Sequence, residues 1–193
     1  MPGILVFAGP NGSGKSTITS EIDIVGQYVN ADEIKKDLNC SDLEAAQIAD
    51  KTREYLLDNY MDFTFETVLS TMSKIKFLSR AKAQGYRIYC IYILTSNPKI
   101  NVDRVNKRVY KGGHSVPPDK IIKRYIRALK LIPQLISICD EMYIFDNSTT
   151  SSEYNRSLIV ESKNNHIEIY PNENWDKDML SELMLGIYSK QFE

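Results

Sequence analysis

Eight residues near the N-terminus constrain this chain more than any other stretch: Gly9-Pro10-Asn11-Gly12-Ser13-Gly14-Lys15-Ser16. They follow the apolar run Ile4 to Ala8 and precede a segment that reads as a helix. The pattern GxxxxGK(S/T) carries meaning in this strand–loop–helix setting. Glycines let the backbone approach an anion closely, so the N–H groups of Asn11, Gly12, Ser13 and Gly14 converge on the α and β phosphates of a nucleotide. The helix that follows adds its positive end and brings Thr17 close by. Lys15 reaches the β and γ phosphates, and the Ser16 hydroxyl is a ligand for Mg²⁺. The loop therefore points to ATP or GTP bound with Mg²⁺.

Apolar runs and helical patterns alternate along the 193 residues. Strands are predicted over 4–8, 27–31, 62–68, 87–94 and 142–145. Ser41, with Glu44 three residues on, forms a capping box for a helix reaching about Asn59. Ser70 is placed to cap the next helix, and Gly85 to end it. Pro98 opens another, which the Gly112-Gly113 pair stops. Pro117-Pro118 starts a long helix to about Cys139, with Pro133 as a kink. Leu158 to Val160 and Ile167 to Tyr170 read as an antiparallel hairpin, and a last helix runs from about Asp176 to Gln191. The alternation predicts a three-layer α/β domain over 1–193, with a mainly parallel five-stranded sheet, flanking helices and a C-terminal hairpin and helix.

In a parallel sheet the ligand crevice lies at the carboxyl ends of the strands. Asp32 follows the second predicted strand, and Glu66-Thr67 closes the third. Both carboxylates are placed to face a γ-phosphate from the acceptor side. There a kinase needs a group to orient or deprotonate the attacking hydroxyl. A helix N-cap role for Asp32 is compatible with that. The fourth strand ends Ile93-Leu94-Thr95-Ser96-Asn97 without an acid. Asp146 ends the fifth and is equally well read as a strand-end turn residue.

Charge is concentrated. Residues 99–130 hold ten Lys/Arg against two Asp, although the whole chain has net charge −1. Arg104 and Arg108 share one helix face, and Lys120, Arg124 and Arg127 share another. Two basic helices around a glycine joint read as a lid over a transferring phosphoryl group. A general nucleic-acid or membrane coat is not expected from this balance. Three widely spaced cysteines, Cys40, Cys90 and Cys139, fit a reduced cytoplasmic setting. No apolar run is long enough to cross a bilayer, and no signal-peptide pattern is seen.

Several of these segments together resemble the zeta-toxin family. They are the glycine loop, Asn30-Ala31-Asp32-Glu33-Ile34, Phe65-Glu66-Thr67-Val68-Leu69-Ser70, the stretch from Arg108 to Pro117 with Gly112-Gly113-His114-Ser115-Val116, Lys123-Arg124-Tyr125, and Asp146-Asn147-Ser148. The likeness covers about residues 3–160. It implies a P-loop kinase fold and phosphorylation of the sugar 3′-hydroxyl of UDP-N-acetylglucosamine. It implies that Lys15 and Ser16 bind ATP–Mg²⁺ and that Asp32 orients or deprotonates the acceptor hydroxyl. Glu66 and Thr67 would bind the sugar nucleotide, Arg104 would stabilise the transferring phosphate, and Asn147 would lie by the ATP base. The second lid cation is left open among Arg108, Arg124 and His114. Segments that hold the uracil in longer toxins have no clear counterpart. An antitoxin would be a separate protein. Two other readings stand beside this one: a nucleoside or polynucleotide 5′-hydroxyl kinase, and an NTP-binding switch module with slow hydrolysis.

Overall fold

Five short apolar segments pair side by side as the parallel part of one seven-stranded sheet. The computed structural model describes residues 1–110, 112–113, 115–149, 156–164, 166–188 and 192. The parallel strands are β1 (Gly3–Ala8), β2 (Gln27–Val29), β3 (Phe63–Thr67), β4 (Arg87–Leu94) and β5 (Glu141–Asp146), in the order β2-β3-β1-β4-β5. β1 is central, and every residue from Ile4 to Ala8 is buried, as a strand covered on both faces requires. The hairpin extends the same sheet: β6 (Ser157–Lys163) pairs antiparallel with β5, and β7 (His166–Ile169) with β6.

Side-chain alternation sends Ile4, Val6 and Ala8 into a large apolar cluster with Phe63, Phe65, Ile88 and Leu94. Onto this cluster pack α3 (Asp42–Asp58), α4 (Met72–Ala83), α6 (Pro118–Lys130), α7 (Ile132–Ile138) and α8 (Lys177–Leu185), through Leu57, Leu78, Leu129, Leu135 and Leu180. The opposite face is thinner: Leu5, Phe7 and Ile93 meet Ile18 of α1 (Lys15–Thr19). The remaining helices are α2 (Ala31–Leu38) and α5 (Pro98–Tyr110).

The capping box at α3 is present: the Glu44 amide donates to the Ser41 hydroxyl at 3.2 Å, and the Ser41 amide to the Glu44 carboxylate at 2.9 Å. Such a cap is worth about 1 kcal/mol. Three expectations are corrected. The long helix after Pro118 is two helices broken at Leu131, because Pro133 has no N–H for the first turn of α7 and resets the chain there. Thr71, not Ser70, precedes α4, and its side chain makes no cap hydrogen bond. The last helix stops at Leu185, where Gly186 turns left-handed at φ 71°; residues 189–191 of the expected span lie outside the described residues.

Candidate active site

The glycine loop runs from the carboxyl end of β1 into α1. Gly12 and Gly14 sit at φ 75° and 102°, and neither has room for a side chain. A Cβ on Gly12 would lie 2.6 Å from the Asn101 carbonyl, and one on Gly14 would lie 2.4 Å from Asn147 Nδ2. Those same neighbours brace the loop. Asn101 donates from Nδ2 to the Asn11 carbonyl at 2.7 Å, and Asn147 from Nδ2 to the Ser13 carbonyl at 2.7 Å. Asn101 is itself held by the Thr95 hydroxyl at the end of β4. Arg124 on α6 donates to Asn11 Oδ1 at 3.2 Å, so a basic helix touches the loop tip.

Lys15 folds back over the loop and donates to the carbonyls of Gly9 at 2.7 Å and Pro10 at 3.0 Å. Burial pushes its ammonium down to about 8, while the carboxylates of Glu66 and Asp32 pull the other way; nearby Arg108 adds to the lowering. This is a cation held ready for an anion: a bound phosphate restores the stabilisation that desolvation removes.

Glu66 is the polar centre of the site. One carboxylate oxygen, Oε1, accepts from the Thr19 hydroxyl at 2.9 Å and the Tyr28 hydroxyl at 2.7 Å. The other, Oε2, accepts from the Ser16 hydroxyl at 3.3 Å. An exposed serine hydroxyl beside a carboxylate is a set of hard oxygen donors that suits Mg²⁺. Thr67 next door accepts at its hydroxyl from the Leu69 amide at 3.0 Å, bracing a tight turn in which Leu69 has φ 51°.

Asp32 is exposed in the first turn of α2. Its expected alternative duty, capping that helix, belongs to Asn30, whose Oδ1 accepts from the Asp32 amide at 2.8 Å. The Asp32 carboxylate takes no part in that cap and lies within electrostatic range of Lys15.

The arginines divide. Arg124 reaches the loop tip, and Arg108 is exposed on α5 within electrostatic range of Lys15. Arg104 is half-buried and clasps the carbonyls of Asn147 at 2.7 Å and Thr149 at 3.0 Å. It meets the phosphate loop through Asn147. His114 lies outside the described residues. Asp146 is buried and fully engaged, accepting from Ser148, Asn172 and Asn174, which is a structural role at the strand end.

Sequence reasoning missed Tyr28, Asn30, Thr19, Thr95 and Asn101. Two of these left a signal. Asn30 stands immediately before an acidic first turn, where helix caps belong, and Asn101 shares a face with Arg104 three residues on.

The glycine loop, the lysine folded over it and the two carboxylates beside it, set on a mainly parallel sheet, define the class: a P-loop α/β protein of kinase-type fold. The chain belongs to the Zeta toxin family, whose model matches residues 1–174. A Haemophilus influenzae protein described as uncharacterized is 31% identical over 127 residues, covering 63% of this chain and 91% of its own length. Among solved structures, a chain of the AvrRxo1-ORF1:AvrRxo1-ORF2 complex crystallised with sulphate ions superposes with TM-score 0.70 at 15% identity, over 95% of this chain. This chain spans 64% of that one. A chain from the PezAT chromosomal toxin-antitoxin system of Streptococcus pneumoniae gives TM-score 0.55 at 16% identity, covering 99% of this chain and 86% of its own. At these identities the structural likeness speaks for the fold.

No helix among the described residues is long and apolar enough to cross a membrane.

Proposed function

We propose that this protein is an ATP-dependent kinase that transfers the γ-phosphoryl group to a hydroxyl of a small-molecule acceptor. UDP-N-acetylglucosamine is the first acceptor to test. One observation carries the reading: the Glu66 carboxylate, accepting from Ser16, shares with Asp32 the electrostatic field of Lys15. Hydrolysis by a switch protein needs a positioned water, whereas one carboxylate at the end of β3 and one in the first turn of α2, both beside the phosphate loop, suit a bulkier hydroxyl acceptor.

In this mechanism the loop amides and Lys15 hold the triphosphate. Ser16, with Glu66 beside it, would hold Mg²⁺, which when bound neutralises charge on the β and γ phosphates. Asp32 orients the acceptor hydroxyl and takes its proton as the bond to phosphorus forms. Glu66 and Thr67 hold the acceptor on the same side. Arg104 and a second cation from Arg108, Arg124 or His114 stabilise the charge that spreads over the transferring group. The basic segment closes over the reaction and keeps water out. The setting is cytoplasmic, and the PezAT likeness supports a separate antitoxin protein as partner.

The test is phosphoryl transfer from ATP–Mg²⁺ to UDP-N-acetylglucosamine, read by product mass, with Lys15→Ala and Asp32→Asn alongside. The expected result is a phosphorylated sugar nucleotide from the wild type alone. ATP binding without that product sends the search to nucleosides, sugars and RNA 5′ ends. ATP hydrolysis indifferent to Asp32→Asn, with a protein partner bound only to the ATP form, would establish the switch reading instead.

A further inference from the structure

The Glu66 carboxylate is joined to the backbone amide of Asp32 by a continuous chain of hydrogen bonds. Asn30 sits at its centre. Its Oδ1 accepts from the Asp32 amide at 2.8 Å and so fixes the first turn of α2. Its Nδ2 donates to the Tyr28 hydroxyl oxygen at 2.8 Å. The Tyr28 proton is then committed to Glu66 Oε1 at 2.7 Å. Strand register places the pieces. β2 pairs with β3 so that Tyr28 stands opposite Thr64, and alternation puts Tyr28 and Asn30 on the same face as Thr64 and Glu66. Val29 between them is buried in the core.

We infer that Tyr28 and Asn30 are positioning residues which set the distance and direction between Asp32 and Glu66. The inference rests on the kinase reading above. Neither side chain belongs to the apolar core: Tyr28, in the three-residue edge strand β2, and Asn30, just after it, are half-buried. Their polar atoms instead form a relay that gives Glu66 one fixed rotamer and ties it to the turn carrying Asp32. Without Tyr28 the carboxylate keeps only the Thr19 and Ser16 hydroxyls as donors and is held less tightly, and a displacement of about 1 Å in a reacting constellation costs on the order of 100-fold.

The experiment uses the full chain and compares wild type, Tyr28→Phe, Asn30→Ser and the double variant. Phenylalanine keeps the ring and loses the donor. Serine keeps the helix cap and loses the reach to Tyr28. Transfer rates are measured with UDP-N-acetylglucosamine, or with whichever acceptor of the panel the wild type phosphorylates. ATP affinity and melting temperature are measured on the same samples. Each single variant is expected to lower kcat about tenfold or more, with ATP affinity within about twofold of wild type. The double variant is expected within about threefold of the worse single, because both substitutions cut one relay.

Wild-type kcat in Tyr28→Phe, multiplicative losses in the double, or parallel loss of ATP binding and melting temperature each overturn the inference while leaving the kinase reading intact. A wild type that phosphorylates nothing in the panel overturns the kinase reading, and this inference with it.

Discussion

Asn147 donates its side-chain amide to the carbonyl of Ser13 at 2.7 Å, across 134 residues of chain. The end of β5 is thereby fastened to the crown of the glycine loop. From the other side Asn101 fastens Asn11, so side chains from two neighbouring elements hold the loop in shape. Preformed amide cradles bind anions without the cost of ordering.

Replacing Asn147 by alanine tests that brace. A lost neutral hydrogen bond costs about 1 kcal/mol, which lowers the melting temperature of a chain this size by roughly 2–4 °C. The Ser13 carbonyl and Gly14 are released together, so ATP affinity is expected to fall about tenfold. Calorimetry of ATP–Mg²⁺ binding, set beside a melting curve, reads both numbers. Unchanged affinity would show that the loop holds its shape without Asn147.

Lys15 gives the ATP site a pH dependence with a defined sign. In the free protein its ammonium loses its proton near pH 8, below the ordinary lysine value of 10.5. A bound triphosphate holds the proton on. Below pH 8 both states carry it, and affinity is flat. Above pH 8 the free protein has shed it, binding takes a proton up, and affinity falls by up to about tenfold per pH unit. Lys15→Arg, which stays charged, is expected to bind more weakly but without that slope. The same shift makes the free fold gain stability between pH 8 and 10.5, because the unfolded chain holds the proton more tightly there. An equal slope in Lys15→Arg would assign the titration to another group.

Arg104 has two possible duties, which kinetics separate. Its guanidinium clasps two backbone carbonyls after β5, and burial lowers its proton affinity while nearby Asp146 opposes that. As a transition-state cation it contributes a few kcal/mol, so Arg104→Ala is expected to cut kcat/KM by about 100-fold or more. The melting temperature should fall by only a few degrees, roughly the value of the two carbonyl bonds. A loss under about tenfold would confine Arg104 to holding the 146–149 turn.

Much of this architecture was legible because burial leaves a simple trace. β4 reads as an unbroken apolar run and occupies Arg87 to Leu94 as expected; β1 and β3 follow the same logic. The phosphate loop was legible because its glycines answer a backbone demand that few other residues meet. The polar relay around Glu66 was not. Tyr28 lies on a three-residue strand whose alternation is too short to orient a side chain, and its partner is 38 residues away. The break at Leu131 was also hidden: Pro133 signals a disturbance, but not whether the helix bends or restarts. Arg104 lies on the helix that Pro98 announced, yet its contact with the 147 and 149 carbonyls depends on tertiary packing that no local pattern records.

Asp146, which the sequence leaves open between a functional role and a strand-end turn, supplies the last prediction. A strand-end acid in a P-loop protein invites a metal-binding role. Here the carboxylate is instead spent inward. One oxygen accepts from the amide of Ser148 at 3.0 Å and from its hydroxyl. The other accepts from the side-chain amides of Asn172 and Asn174 at 3.1 and 3.0 Å. Asn172 in turn accepts at Oδ1 from the Trp175 amide at 2.9 Å, and Trp175 is fully buried against Tyr188. Asp146 therefore anchors the turn that seats the C-terminal segment in the core. Asp146→Ala strands these donors in a poorly hydrated site, at a cost of about 2–3 kcal/mol. The melting temperature should drop by roughly 5–10 °C. Measured well below that temperature, phosphoryl transfer per folded molecule should stay within about threefold of wild type, since both oxygens of this carboxylate are spent on Ser148, Asn172 and Asn174. The opposite pattern, normal melting with transfer abolished, would return Asp146 to the catalytic centre.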